Sequence, residues 1–150
     1  MANIADIAAY FCQNYPHKSE LSKTRLTKLV YLADWKNARR FGKQLTPIKW
    51  YFHNFGPYVE DVIKAVENDD RFSIVATSNS YGDTKSLIEY SGSRRGIKGL
   101  TDQDISVLDA VIEKTSPMYW KAFIKHVYST KPIRESDRYR FLDLAALAKD

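Results

Sequence analysis

The sequence predicts an α+β fold, mostly α: a single compact domain over residues 1–150, with about six helices and a small antiparallel sheet of about three short strands. Three observations predict it. Apolar residues recur at three- and four-residue spacing through most of the chain. The β-branched and aromatic runs are short and bounded by Gly, Pro and Asn. No internal repeat and no long polar linker divides the 150 residues, and a chain of this size buries roughly 70% of its unfolded surface without staples.

Residues 3–14 form the first predicted helix. Ile4, Ile7, Ala8, Phe11 and Cys12 share a stripe. Pro16 ends it, because proline disfavours the helical region for its predecessor. Residues 20–41 carry the strongest pattern. Leu26, Leu29, Val30, Ala33 and Phe41 line one face with Leu32 beside them, and Lys28, Lys36, Arg39 and Arg40 lie opposite. Ser19 or Ser22 serves as N-cap, and Gly42 stands where a C′ glycine belongs. After Thr46-Pro47 the period changes. The run IKWYFHNF is β-branched and aromatic and reads as extended chain. Alternation there points Trp50 and Phe52 to one face, and Tyr51 and His53 to the other. Gly56-Pro57 closes the strand, with proline expected in the first turn of a helix on Val59, Val62, Ile63 and Val66.

RFSIVAT (71–77) and SLIEY (86–90) flank a polar loop with Gly82-Asp83 near its tip, which is a hairpin pattern. SGSRRGIKG (91–99) reads as a connector. Thr101 with Asp104 resembles a capping box and opens a helix on Ile105, Leu108, Val111 and Ile112. Ser116-Pro117 reads as N-cap and N1 of a helix on Trp120, Phe123, Ile124 and Val127. STKPIRES (129–136) is expected as a loop, and a last helix is expected over about 137–148 on Leu142, Leu144, Ala145, Leu147 and Ala148.

Composition narrows the function. Cys12 is the single cysteine, so no disulfide forms within the chain, as suits a reducing cytosol. One Cys and three scattered His give no zinc spacing. No apolar run reaches the roughly 18 residues of a membrane span, and the N-terminus lacks the features of a secretory signal. A cytoplasmic protein without membrane contact is expected. The net charge of +5 is uneven: residues 17–50 hold nine Lys/Arg against two acids, and residues 51–70 hold one Lys against five acids. Such asymmetry steers charged partners, and it equally describes the solvated sides of long helices.

Catalytic patterns are missing. Cys12 falls on an apolar helix face, where a thiol is buried and inert. No nucleophile elbow, zinc helix or phosphate loop is present. SGSRRGIKG has glycines and cations without phosphate-loop spacing, so a connector is its plain reading. Asp34 and His53 are the acid/base candidates of an alternative, a nucleotide-binding enzyme using them with that loop. Their plainer roles are a buried carboxylate held by backbone or Tyr hydroxyls, and a packed, hydrogen-bonded ring. Nucleic-acid binding is not expected, because the basic 20–41 helix follows a proline turn rather than a helix-turn-helix. The aromatic residues are the stronger signal. Eight of them gather between Tyr31 and Tyr58, and Tyr, Trp and Arg dominate protein-interface hot spots.

RLTKLVYLADW (25–35), then GKQLT (42–46), then IKWYFHNFGPYVEDV (48–62) resemble the Panacea domain, the SocA-like antitoxin family of bacteria and their phages. The residues that carry the resemblance are Lys28, Leu29, Tyr31, Leu32, Ala33, Asp34, Trp50, Gly56 and Pro57. The tail VYSTKPIRESDRYRFLDL (127–144) fits more loosely. The resemblance implies a non-enzymatic antitoxin, without cofactor or metal, that binds and neutralises a cognate toxin protein. One family member delivers its toxin to the ClpXP protease, so a protease-adaptor role is part of what it implies. Some members add a DNA-binding domain, for which these residues leave no room, so operon autoregulation is not implied. Partner-binding residues are expected at Trp35, Arg39, Arg40, Tyr51, His53 and Tyr58, with Tyr31, Asp34, Gly56 and Pro57 shaping the site from within. A phage-encoded host-interaction protein using the same surface is the other alternative.

Overall fold

In the computed structural model, α2 (Lys23–Phe41) is the axis around which the other elements pack. Residues 1–78, 82, 84–93 and 96–149 are described. Among them are seven α-helices and two antiparallel two-stranded sheets. α1 (Ile4–Asn14) is capped by the Asn3 side chain. Ser22 caps α2, accepting from the Arg25 amide at 3.1 Å, and Gly42 closes it with φ 77°. Only glycine takes that left-handed geometry without strain.

α2 is covered by α1, α3 (Asp61–Glu67), α4 (Asp102–Thr115) and α7 (Leu144–Leu147), and by strands from both sheets. Its expected polar face is therefore only partly polar. Lys36, Arg39 and Arg40 reach solvent, while Lys28 and Arg25 are buried. Phe41, expected on the core face, is exposed, because the helix end runs past the core. Arg25 is held by the Tyr15 hydroxyl at 2.7 Å and by the Thr115 and Met118 carbonyls at 3.1 and 2.8 Å. It stacks on Phe123 at 4.3 Å, and its nearest carboxylate oxygen is Glu20 at 3.7 Å. It ties α2 to the end of α4.

The first hairpin joins β1 (Tyr51–His53) to β2 (Gly56–Tyr58), with Phe52 opposite Pro57. This corrects the expected helical proline: Pro57 lies in a strand, and α3 starts four residues later. The strand tolerates it because Phe52, the residue opposite, turns its N–H and C=O to the far edge of β1, so no ladder bond is asked of the Pro57 nitrogen. The Phe52 amide donates to the Arg140 carbonyl at 2.9 Å, the Tyr139 amide to the Phe52 carbonyl at 2.6 Å, and the Leu142 amide to the Trp50 carbonyl at 2.8 Å. Residues 137–143 are thus not helical but make a turn at Arg138–Tyr139 and run on beside β1, and the expected last helix shrinks to α7. Tyr139, with φ 65°, breaks any helix there.

The second hairpin pairs β3 (Phe72–Ser78) with β4 (Thr84–Tyr90), as the sequence predicts. The Ile88 amide donates to the Leu21 carbonyl at 2.9 Å, which seats this hairpin beside the start of α2. Asp83 of its tip, and Arg94 and Arg95 of the glycine-rich connector, lie outside the described residues. Thr101 and Asp104 form the full capping box of α4. Ser116 is the C-cap of α4 and not the N-cap of the next helix, so α5 (Trp120–Ser129) starts later than predicted, behind Tyr119. The expected 129–136 loop contains α6 (Lys131–Arg134), begun by proline in its first turn.

One apolar cluster runs from Ala2 to Leu144. Cys12 sits in it, its thiol aimed at the Ile88 carbonyl, and burial pushes its pKa up to about 12. That thiol stays protonated and inert.

Candidate functional site

The conformation of the aromatic segment is dictated from inside by α2. Asp34 is fully buried, and donors surround its carboxylate. The Thr46 hydroxyl reaches Oδ2 at 2.5 Å, the Trp50 indole N–H reaches Oδ2 at 2.8 Å, and the Thr46 amide reaches Oδ1 at 3.0 Å. Gln44 adds a longer contact to Oδ2 at 3.4 Å and ties the Thr46 and Ile48 carbonyls together. Burial raises the Asp34 pKa to about 6, against the pull of Thr46 and Trp50. Of the expected partners, a backbone amide is present and tyrosine hydroxyls are not; an indole and a threonine hydroxyl complete the set. Tyr31, three residues before Asp34, meets Trp50 edge-on at 5.5 Å. One turn further back, Lys28 sends its ammonium to the Pro57 carbonyl at 3.3 Å. Burial lowers the Lys28 pKa to about 8.

With Trp50 and Phe52 fixed inward, alternation turns Tyr51 and His53 outward. His53 is exposed, and its Nδ1 accepts from the Asn54 amide at 2.9 Å. Rings gather around it: Tyr51 at 5.9 Å, Tyr58 at 6.4 Å and Tyr139 at 6.4 Å, all edge-on. Phe141 meets Tyr51 at 5.1 Å. Phe55 at the hairpin tip, Phe141 and Tyr139 are 80%, 72% and 61% exposed. Such large rings left in water, several of them in contact, form a patch that monomeric surfaces rarely carry without use. Beside it lies a shallow hollow between Tyr51, His53, Tyr58, Lys49 and Glu60. Its charges balance, with Glu60 paired to Lys64 at 3.2 Å.

The expected partner-binding residues divide. Tyr51, His53 and Tyr58 come together here. Arg39 is exposed at the far end of α2 and lines a separate cleft, and Arg40 is exposed beside it. Trp35 does not stand on the surface as expected. It is 7% exposed, because it continues the buried side of α2 one turn beyond Tyr31. Asp34 and His53 share neither a hydrogen bond nor a cavity among the described residues, and the acid/base pair of the enzyme alternative does not form. Tyr139 and Phe141 were missed because 137–148 read as helix. Their i, i+2 spacing in DRYRF was the available signal for an extended segment.

A family model described as "Antitoxin SocA-like, Panacea domain" matches residues 26–132, well over half of the chain. The chain belongs to that family. No curated protein and no solved structure matches it. In this Panacea domain, every residue that carries the family resemblance on α2 is buried, as are Trp50, Gly56 and Pro57. The motif is an internal lock: Lys28 on Pro57, Tyr31 against Trp50, and Asp34 on Trp50 and Thr46. The rings that the lock displays lie largely outside it, at Tyr51, His53, Tyr58, Tyr139 and Phe141.

Proposed function

We propose that this Panacea domain is a cytoplasmic antitoxin that neutralises a cognate toxin protein by direct contact, and that the exposed rings around His53 are its docking face. Family membership supports the antitoxin role, and with it a protein that acts by binding rather than by catalysis. The contiguous aromatic patch is the observation that supports the place. Tyr51, His53 and Tyr58 are its centre, with Tyr139 and Phe141 completing it, while Tyr31, Asp34, Gly56 and Pro57 hold it in shape. No helix among the described residues is long and apolar enough to cross a membrane, which accords with a toxin met in water.

Co-expression with the product of the neighbouring gene tests the reading. Rescue of growth and a stable complex are expected. A neighbour harmless on its own that forms no complex sinks it. Tyr51→Ala and Phe141→Ala test the place: a central ring contributes about 2 kcal/mol, roughly thirtyfold in Kd. Both variants should fold and bind more weakly. Delivery to ClpXP is the finer part of the proposal. It predicts that the toxin's half-life falls on co-expression only in cells that retain ClpXP.

A further inference from the structure

A second concave site shares no lining residue with the aromatic hollow. It is a cleft of about 760 Å³, within the range of roughly 300–1,000 Å³ of small-molecule sites. Its floor is apolar, from Leu32, Trp35 and Val111. Its walls are basic: Lys36 and Arg39 from α2, Lys114 from the last turn of α4, Arg134 from α6, and the imidazole of His126 from the last turn of α5. No carboxylate lines it among the described residues. Lys36, Arg39 and Lys114 take part in no ion pair or hydrogen bond among those residues.

These charges are near enough to repel. Burial lowers the Lys36 pKa first, and the charges of Arg40, Arg39 and Lys114 lower it further. Burial likewise lowers the His126 pKa, followed by Lys114 and Lys36. Like charges drawn together from three helices destabilise the compact state, and a bound anion relieves them.

We propose that this cleft is a binding site for a small phosphate-bearing anion, seated between Lys36, Lys114 and His126. The convergence selects the anion. A carboxylate brings one charge and two oxygens, and satisfies two of the three groups. A phosphate group brings up to two charges and three acceptor oxygens, one for each. An acidic peptide would spread its charges along a line at about 3.3 Å per residue, whereas these basic groups line a single cleft.

Calorimetric titration of the full chain with inorganic pyrophosphate, a nucleoside diphosphate and an aspartate decapeptide tests this, with the His126 imidazole followed by NMR. Saturable pyrophosphate binding is expected, with the His126 pKa raised in the complex. Lys36→Gln and Lys114→Gln should each weaken it about tenfold or more, and Lys121→Gln, on the exposed side of α5, should leave it unchanged. Tighter binding of the nucleoside diphosphate than of pyrophosphate assigns the site to a nucleotide. Equal affinity assigns it to the phosphates alone. No saturation at millimolar pyrophosphate overturns the proposal. So does binding that survives both glutamine variants, or a decapeptide that binds more tightly than either phosphate ligand.

Discussion

Two buried residues of α2, Asp34 and Lys28, carry charges of opposite sign at a cost. Asp34 is an acid whose native pKa is raised, from an ordinary 3.8 to about 6, first of all by burial. Between those values the native state binds the proton more tightly than the unfolded chain. The carboxyl's contribution to stability is therefore full below about pH 4 and lost as pH rises through 6. The shift corresponds to roughly 3 kcal/mol. Asp34→Asn keeps the shape but turns an amide N–H₂ toward the Trp50 or Thr46 donors, and should cost about 2–4 kcal/mol. The gap between parent and variant should be widest near pH 4 and narrow toward pH 7, read from urea midpoints. A gap that widens with pH would contradict the assignment. Lys28 is the converse, a base lowered from 10.5 to about 8 by burial. The unfolded chain binds that proton more tightly, so stability rises with pH across the window. Below pH 8 the buried ammonium costs up to roughly 3 kcal/mol. Lys28→Met should equal or exceed the parent in stability at pH 7, and lose the advantage by about pH 10. A loss beyond about 1 kcal/mol at pH 7 would mean that the bond to Pro57 outweighs the burial cost.

At the scale of elements, what the sequence made legible follows local chemistry. Ser22, Gly42 and the Thr101–Asp104 box mark helix ends through backbone groups within a few residues, and each is where it was expected. The 71–90 hairpin is legible for the same reason. Two of the misreadings concern segments whose conformation is set by strand pairing rather than by local propensity. Pro57 is favoured at a helix start and tolerated in a strand only where no N–H is needed, and pairing with Phe52 supplies such a position. Residues 137–143 carry no local signal strong enough to resist docking on the open edge of β1. The same dependence makes Gly56 sensitive. Its φ of 101° is outside what side-chain-bearing residues adopt, while an added Cβ would meet the Tyr128 ring at an ordinary 3.6 Å. Gly56→Ala should therefore cost about 1–3 kcal/mol through backbone strain, not through a clash. Shortening Tyr128 should not rescue it. Rescue by Tyr128→Leu, measured as a restored melting temperature, would place the cost in sterics instead.

At the scale of the molecule, the core from Ala2 to Leu144 draws on nearly every element and should unfold in one cooperative transition. Far-ultraviolet dichroism and tryptophan fluorescence should share a midpoint, and separate midpoints would divide the chain into two domains. The candidate surface was only half legible. Alternation gave the outward Tyr51 and His53, but charge asymmetry in the sequence joined them to Arg39 and Arg40, which the fold carries to another place. That separation has a consequence for binding. The rings around His53 sit beside a hollow in which Lys49 and Lys64 offset Glu60 and Asp61, whereas the cleft at Lys36 and Lys114 has basic residues and no carboxylate in its described lining. Screening acts on charge and not on ring burial, and the Debye length falls from about 10 Å at 0.1 M salt to about 3 Å at 1 M. Toxin affinity through the aromatic face should therefore change less than about tenfold over that range, with any effect mainly on the association rate. Surface plasmon resonance across the salt series reads both rates. A steep fall in affinity, shared by Lys36→Gln and spared by Tyr51→Ala, would move the toxin from the rings to the basic cleft.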